Sequence, residues 1–218
     1  MSDATATQVC IVAAAEAFRG DGEILASPMG DVPSRGAALA EATFAPDLMI
    51  EYVRYRRIFD IVWAGKRHVM MGASQLDRFG NQNISCIGDV AAPKVQLLGV
   101  RGAPGNTINH TTSYWIPKHT RRVFVDKVDV VCGVGYDRAA ELGEVAARFH
   151  EIRCVISDLG VFDFQTPNRA MRLVSVHPGV EVEQVRDNTG FDLVIADDVP
   201  TTRLPTAAEL ALLRETSP

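Results

Sequence analysis

No Cys-x-x-Cys pair, no dense basic tract and no long apolar run occur in these 218 residues, and each gap removes a class of function. The four cysteines, Cys10, Cys86, Cys132 and Cys154, are scattered along a chain without a secretory signal. They read as buried reduced thiols, not as disulfides or zinc ligands. The five histidines, His68, His110, His119, His150 and His177, lack any spacing that would gather them on one helix face, so no metal site is expected. A formal charge of −5 argues against nucleic acid or an anionic membrane as partner, because both demand a basic surface. Val9 to Ala15 is too short to span a bilayer, and Met1 to Gln8 has no basic leader, so a cytoplasmic protein is expected. The nucleophile elbow Gly-x-Ser-x-Gly, the Walker loop, His-Glu-x-x-His and the dinucleotide fingerprint are all missing, and Gly133-Val-Gly135 is read as a turn.

What is present describes an ordinary globular chain: 47% hydrophobic and 22% charged residues suffice for a sizeable core, and residues 1–218 are read as a single domain. Helix and strand signals alternate in the first third. Val9 to Phe18 is an alanine-rich helix stopped by Gly20-Asp-Gly22, Glu23 to Ala26 a strand, Ser34 to Thr43 a helix, Asp47 to Val53 a strand, Arg57 to Ala64 a helix and His68 to Gly72 a buried strand. That alternation predicts an α/β fold, a mostly parallel sheet flanked by helices, in which ligands gather at the carboxyl ends of strands. The middle reads as hairpin-rich, with strands at Asn83 to Ile87, Val95 to Val100, Thr111 to Ile116 and Val123 to Val131. Arg138 to Phe149 reads as either a short helix or a surface loop. Ile152 to Phe164 and Met171 to Val176 read as strands around the turn Gln165 to Asn168, Val182 to Thr189 as a helix and Phe191 to Ile195 as a strand. Thr206-Ala-Ala-Glu209 is a capping box that opens a last helix.

Two turn-forming strings stand out, Gln75-Leu-Asp-Arg-Phe-Gly-Asn-Gln-Asn83 and Arg101-Gly-Ala-Pro-Gly-Asn106. Glycine and asparagine tolerate positive φ, so Gly80-Asn81 and Gly105-Asn106 can form tight turns whose backbone N–H groups face a ligand, or simply punctuate two hairpins. Asn81, Asn83, Asn106 and Asn109 either orient a carbonyl or a water or close their own turns. Arg101 pairs either with a ligand carboxylate or phosphate or with a surface acid. His110, just after the second string, is a proton shuttle or carbonyl donor in one reading and a backbone-bonding turn residue in the other. Asp77, Asp158 and Asp163 read as turn-closing aspartates. Glu51, at the end of a strand-like run, is a nucleophile or base, or an exposed strand end. The basic clusters Arg54 to Arg57 and Lys118 to Arg122 are solvated faces or landing sites for a small anion.

Together these strings do more than their chemistry alone. Met71-Gly-Ala-Ser-Gln-Leu-Asp-Arg-Phe-Gly-Asn-Gln-Asn83 resembles the Gln-Val-Asp-x-x-Gly-Asn-x-Asn signature of β subunits in the class I CoA-transferase family. Gly102-Ala-Pro-Gly-Asn106, Leu159 to Phe164, His177-Pro-Gly-Val180 and Thr189-Gly-Phe191 resemble that family too, in the same order along the chain. Within it, the stretch Gly102 to Trp115 looks similar to β subunits of actinobacterial heteromeric hydrolases that open a ring of a cholesterol-derived CoA thioester. The resemblance implies a CoA-transferase-like fold, an α subunit of related fold in a heterotetramer, and an active site at the α/β interface whose catalytic glutamate the α chain carries. It implies no cofactor beyond the CoA of the substrate.

On that basis Asn106 and His110 are the expected catalytic residues, with Asn81, Asn83, Arg101, Gly102 and Gly105 binding substrate and a backbone N–H pair at Gly105-Asn106 stabilising an oxyanion. Two alternatives stay open: a CoA-transferase working through a glutamyl-CoA thioester, with Glu51 as the alternative nucleophile, and a non-catalytic scaffold subunit. The sequence departs from the family after Ile50, where a longer stretch bearing the transferase nucleophile is replaced by Glu51-Tyr-Val-Arg-Tyr55.

Overall fold

The computed structural model describes residues 4–50 and 65–215. Glu51, the cluster Arg54 to Arg57 and the helix expected at Arg57 to Ala64 lie outside the described residues. The chain begins with helix α1 (Ala6–Glu16), whose capping box the sequence reading did not identify: Thr5 Oγ1 accepts from Gln8 N while Gln8 Oε1 accepts from Thr5 N. Seven consecutive residues of α1, Val9 to Ala15, are buried, because the helix is covered on several sides. Strand β1 (Leu25–Pro28), helix α2 (Asp31–Thr43), strand β2 (Met49–Ile50) and strand β3 (Arg67–Met71) follow. Alanines let α1 and α2 approach closely, and a Cβ on Gly36 would fall 2.6 Å from the Ala14 Cβ.

The middle section holds four two-residue strands, β4 (Gln75–Leu76), β5 (Gln82–Asn83), β6 (Cys86–Ile87) and β7 (Val95–Gln96), paired as two small antiparallel hairpins, β4 with β5 and β6 with β7. Helix α3 (Ala103–Asn109) leads into β8 (Thr111–Ile116), the strand the sequence anticipated. The run Val123 to Val131 is not a strand. Thr120 O accepts from both Val123 N and Phe124 N in a turn, and only a single bridge joins Phe124 to Leu76. The ambiguous stretch after Gly135 resolves into helices α4 (Tyr136–Glu141) and α5 (Glu144–Ala147). The long strand expected from Ile152 to Phe164 is two, β9 (Glu151–Ser157) and β10 (Gly160–Asp163), paired antiparallel. Ser157 Oγ accepts the N–H groups of Leu159 and Gly160 and so closes the turn between them. Strand β11 (Arg172–Val176), helix α6 (Val182–Asp187), strand β12 (Val194–Ile195) and helix α7 (Ala207–Glu215) complete the chain. The Thr206/Glu209 capping box is formed.

One sheet of eight strands organises these elements in the order β12-β11-β10-β9-β8-β3-β1-β2, parallel from β2 through β9 and antiparallel on both sides of β10. The α/β prediction therefore holds. Alternation along β3 sends Met70 to the core under α1 and α2, and Val69 and Met71 to the core on the other face. In β9 the alternation slips. The register against β8 shifts between Thr112 and Ser113, so that Ile152 faces one core while Cys154 faces the other. Arg153 is the extra residue, and its side chain reaches the Ala17 carbonyl and Asp21.

Candidate active site

Strands β1 and β3 run parallel, and their carboxyl ends feed Met29 and the run Met71 to Ser74 into the mouth of a cavity of about 680 Å³. Gln82 and Ile84 from the hairpin section, Leu98, and Arg101, Gly102, Ala103 and Asn106 from the start of α3 supply the remaining walls, with Arg67 at the start of β3. This is the location at which open parallel sheets present ligands. Met29, Met71, Ala73, Ile84 and Leu98 make much of the wall apolar, and the described lining contains two arginines and no carboxylate.

The two asparagine-bearing strings therefore have different fates. Arg101, Gly102 and Asn106 line the cavity. Gly105-Asn106 is not a turn: both residues lie in α3, and Asn106 N donates to Gly102 O at 2.9 Å. The helix claims that N–H, so the expected backbone oxyanion pair does not exist, and Gly105 does not line the cavity. Asn109 closes its own turn through Nδ2 to Gly105 O. Asn106 turns its side chain inward, where Oδ1 accepts from Arg67 Nη1 at 2.9 Å. Arg101 is exposed and holds a left-handed backbone at φ 50°, rare for a side-chain-bearing residue.

Asn81 and Asn83 are structural, which corrects their placement among the substrate-binding residues. Gly80 takes φ 83° as expected, and Asp77 Oδ1 accepts the N–H groups of Phe79 and Asn81, closing the turn. Asn81 Nδ2 donates to Asp77 and Asp137 while its Oδ1 accepts from Gly135 N. Asn83 donates to Gln75 Oε1 and Cys86 O and accepts from Ser85 N. With every side-chain polar atom occupied, neither amide is free for a ligand. Burial pushes the Asp77 carboxyl up to about 6 despite these donors. Asp158 accepts His119 N, whereas Asp163 holds Arg172 in a two-point ion pair besides closing its turn.

His110 is 2% exposed and absent from the cavity wall. Burial, with Arg67 nearby, lowers its pKa, so it is neutral near pH 7. It is not among the residues that line this cavity, where the sequence reading had set it against substrate. His68, His119 and His177 are internal and His150 is half-buried. His119 bonds Ser157 and Thr189 and stacks on Phe124 at 3.6 Å, and His177 bonds Thr202 and Ser157 O. His68 is flanked by Asp21 Oδ2 at 2.7 Å and Ser113 Oγ at 2.9 Å, the arrangement of a hydrolytic triad. Ser113 and His68 are both 0% exposed, so no substrate reaches that hydroxyl, and the array links α1's end to the sheet. Among the described residues no cluster of histidine, cysteine, aspartate or glutamate is placed to hold a metal, and all four cysteines are buried and unpaired. Likewise among the described residues, no helix is long and apolar enough to cross a membrane.

Arg67 is a charged cavity residue that sequence reading missed. Its only signal was its place at the start of a buried strand, which also fits a surface charge. In the fold Nε donates to Ser27 Oγ at 2.8 Å and Nη1 to Asn106, and no ion pair forms among the described residues.

A parallel half-sheet with a cavity at its strand ends is the layout of an α/β ligand-binding protein. Residues 59–188 match the coenzyme A transferase family model, and the chain belongs to that family. Among curated relatives, the cholesterol ring-cleaving hydrolase IpdB subunit of Rhodococcus jostii (strain RHA1) is 47% identical over 99% of this chain and 93% of its own length. A 3-oxoadipate CoA-transferase subunit of Pseudomonas knackmussii is 31% identical over 98% of this chain and 94% of its own. The crystal structure of Rhodococcus jostii RHA1 IpdAB superposes with a TM-score of 0.93 at 47% identity, covering 98% of this chain and 94% of that one.

Proposed function

We propose that this chain is the β subunit of a heteromeric hydrolase that opens a ring of a steroid-derived CoA thioester, by carbon–carbon bond hydrolysis, during cholesterol catabolism. The observation that carries this reading is the 47% identity to a ring-cleaving hydrolase subunit over 99% of the chain, against 31% to a transferase subunit over a similar span. The cavity agrees in character, since its apolar wall suits alicyclic carbon and its two arginines suit carbonyl and carboxylate oxygen. An α subunit of related fold completes the site and carries the catalytic glutamate, the pair assembling as a cytoplasmic heterotetramer. CoA arrives as part of the substrate and no other cofactor is needed.

In this chemistry the oxygen of water bonds to a ring carbonyl carbon and the adjacent ring carbon–carbon bond breaks. The displaced carbon takes a proton, and the attacked carbon becomes a carboxylate. Arg67 and Arg101 make this chain the electropositive wall, and Asn106 fixes the direction of Arg67.

The test is to co-purify the chain with its α subunit, supply a steroid-derived ring-ketone CoA thioester in heavy-oxygen water, and add borohydride to a parallel sample. Ring opening with one labelled oxygen in the new carboxyl group and no trapped adduct is expected. CoA transfer to an added acid, with a reduced glutamyl adduct mapped to Glu51, would overturn the reading in favour of the transferase. Assembly with activity untouched by substitution of both Arg101 and Asn106 would leave only a scaffold.

A further inference from the structure

A guanidinium half-withdrawn from water normally meets a carboxylate, because burying an uncompensated charge costs stability. Arg67 does not: its described partners are one hydroxyl and one amide oxygen, Ser27 Oγ and Asn106 Oδ1. Burial lowers its pKa, and no salt-bridging acid among the described residues offsets that. Arg153 shows the ordinary arrangement, buried to a similar degree but paired with Asp21 and Glu151. The two bonds to Arg67 fix the plane of the guanidinium while occupying only Nε and one hydrogen of Nη1, so that three of its five donors remain unassigned. The cavity that it lines has no carboxylate among its described residues.

We infer that Arg67 binds the ring carbonyl oxygen of the substrate and stabilises the negative charge that develops there when water adds, Ser27 and Asn106 serving to aim it. This deepens the hydrolase reading and rests on it. When the water oxygen bonds to the carbonyl carbon, the C=O π pair moves onto the carbonyl oxygen, which becomes an alkoxide facing the guanidinium. As that pair returns to re-form C=O, the ring carbon–carbon bond breaks and its electrons leave on carbon, which takes the proton that the attacking water gave up to the α-subunit glutamate, while the remaining hydroxyl proton of the new acid is lost to solvent. The same oxygen then forms half of the product carboxylate, still within reach of a two-point bond to Arg67. A donor in place before reaction and strengthening as charge appears acts on kcat more than on KM.

The experiment compares Arg67→Ala, Arg67→Lys and wild type in the assembled α/β enzyme, following ring opening with and without added methylguanidinium. Arg67→Ala is expected to lose roughly a hundredfold or more in kcat with KM changed less than about fivefold, and methylguanidinium to restore part of the loss. Arg67→Lys, which keeps the charge but not the planar fork, is expected to stay at least about tenfold below wild type. Unchanged kcat in Arg67→Ala, a loss confined to KM, or absence of methylguanidinium rescue would overturn the assignment. If Arg67→Ala fails to assemble and Arg67→Lys turns over normally, Arg67 is a structural cation and the assignment likewise falls. An acid limb of the pH profile that shifts with full plateau activity would assign Arg67 to a protein carboxylate instead. Wild type that transfers CoA and opens no ring would defeat the functional reading itself, and this inference with it.

Discussion

The strings Gln75 to Asn83 and Arg101 to His110 are built from the same residue types, glycine, asparagine and one arginine, yet the fold uses them in opposite ways. In the first, buried Asn81 and Asn83 spend every polar atom on Asp77, Asp137, Gly135, Gln75, Cys86 and Ser85, and the product is a strut between the two small hairpins and α4. In the second, Asn106 shares one oxygen with Arg67 and Arg101 has no ion pair among the described residues, so donor capacity is left over at the cavity. A turn whose side chains are all satisfied holds structure; a wall with spare donors is free to hold something else.

Acid acts on the packed interior through two groups of opposite sign, His119 outside the first string and Asp77 within it. His119 is packed neutral against Phe124, and burial takes its pKa from 6.5 to about 3. The unfolded chain therefore gains a proton there before the folded one does, so the contribution of His119 is intact above pH 6.5 and drains away towards pH 3. The slope is at most about 1.4 kcal/mol per pH unit. Asp77 has the opposite sign: folded it holds its proton to about 6 against 3.8 for the free group, which adds stability at acid pH that is lost as pH rises through that window. Denaturant midpoints from pH 7 to 3.5 should fall, less steeply between about 4 and 6 than below, and Asp77→Asn should steepen the middle segment.

Gly135→Ala should be the most damaging single change in the held region. Its Cβ would sit 2.5 Å from Asn81 N and 2.6 Å from Phe79 O, backbone atoms that cannot swing away. A loss of about 3 kcal/mol is expected by thermal or urea unfolding, with little effect on turnover per folded molecule. Asn81→Ala should cost about 2 kcal/mol, because buried Asp77 and half-buried Asp137 lose a shared donor, again with kcat retained. Asn106→Ala reverses that pattern: kcat should fall at least about tenfold as Arg67 loses its aim, with stability changed by about 1 kcal/mol or less. Arg101→Ala should be mildest, raising KM by about fivefold with unchanged melting, since an exposed cation contributes little to the fold. A drop in turnover for Asn81→Ala equal to that of Asn106→Ala would erase the distinction.

The architecture was legible because it follows from periodicity. An apolar run gave β3 and a β-branched and aromatic run gave β8, glycine and a capping box marked the ends of α1 and α7, and the parallel sheet followed from helix–strand alternation. What escaped were features decided by contacts far along the chain. Val123 to Val131 has a strand composition but lies beside Leu76 with room for a single bridge, and the slip that frees Arg153 depends on β8 as partner. At the candidate site, Arg101, Gly102 and Asn106 line the cavity, whereas Gly105-Asn106 was misread as a turn because the preceding Ala-Pro also suits the first positions of a helix. Asn81 and Asn83 could not be told from ligand-binding amides, because their satisfying partners Gly135, Asp137 and Cys86 come from other segments or from a turn closed only in the fold. Arg67 was invisible for the converse reason, since the lack of a partner is a property of three dimensions.

The most direct measurement is a crystal structure of the assembled α/β enzyme with a non-hydrolysable steroid CoA thioester bound. The account predicts the ring oxygen against Arg67, with Arg101 and Asn106 on the same wall and no ligand atom within hydrogen-bonding reach of Asn81 or Asn83. A ligand seated elsewhere, or hydrogen-bonded to either of those two amides, would contradict it.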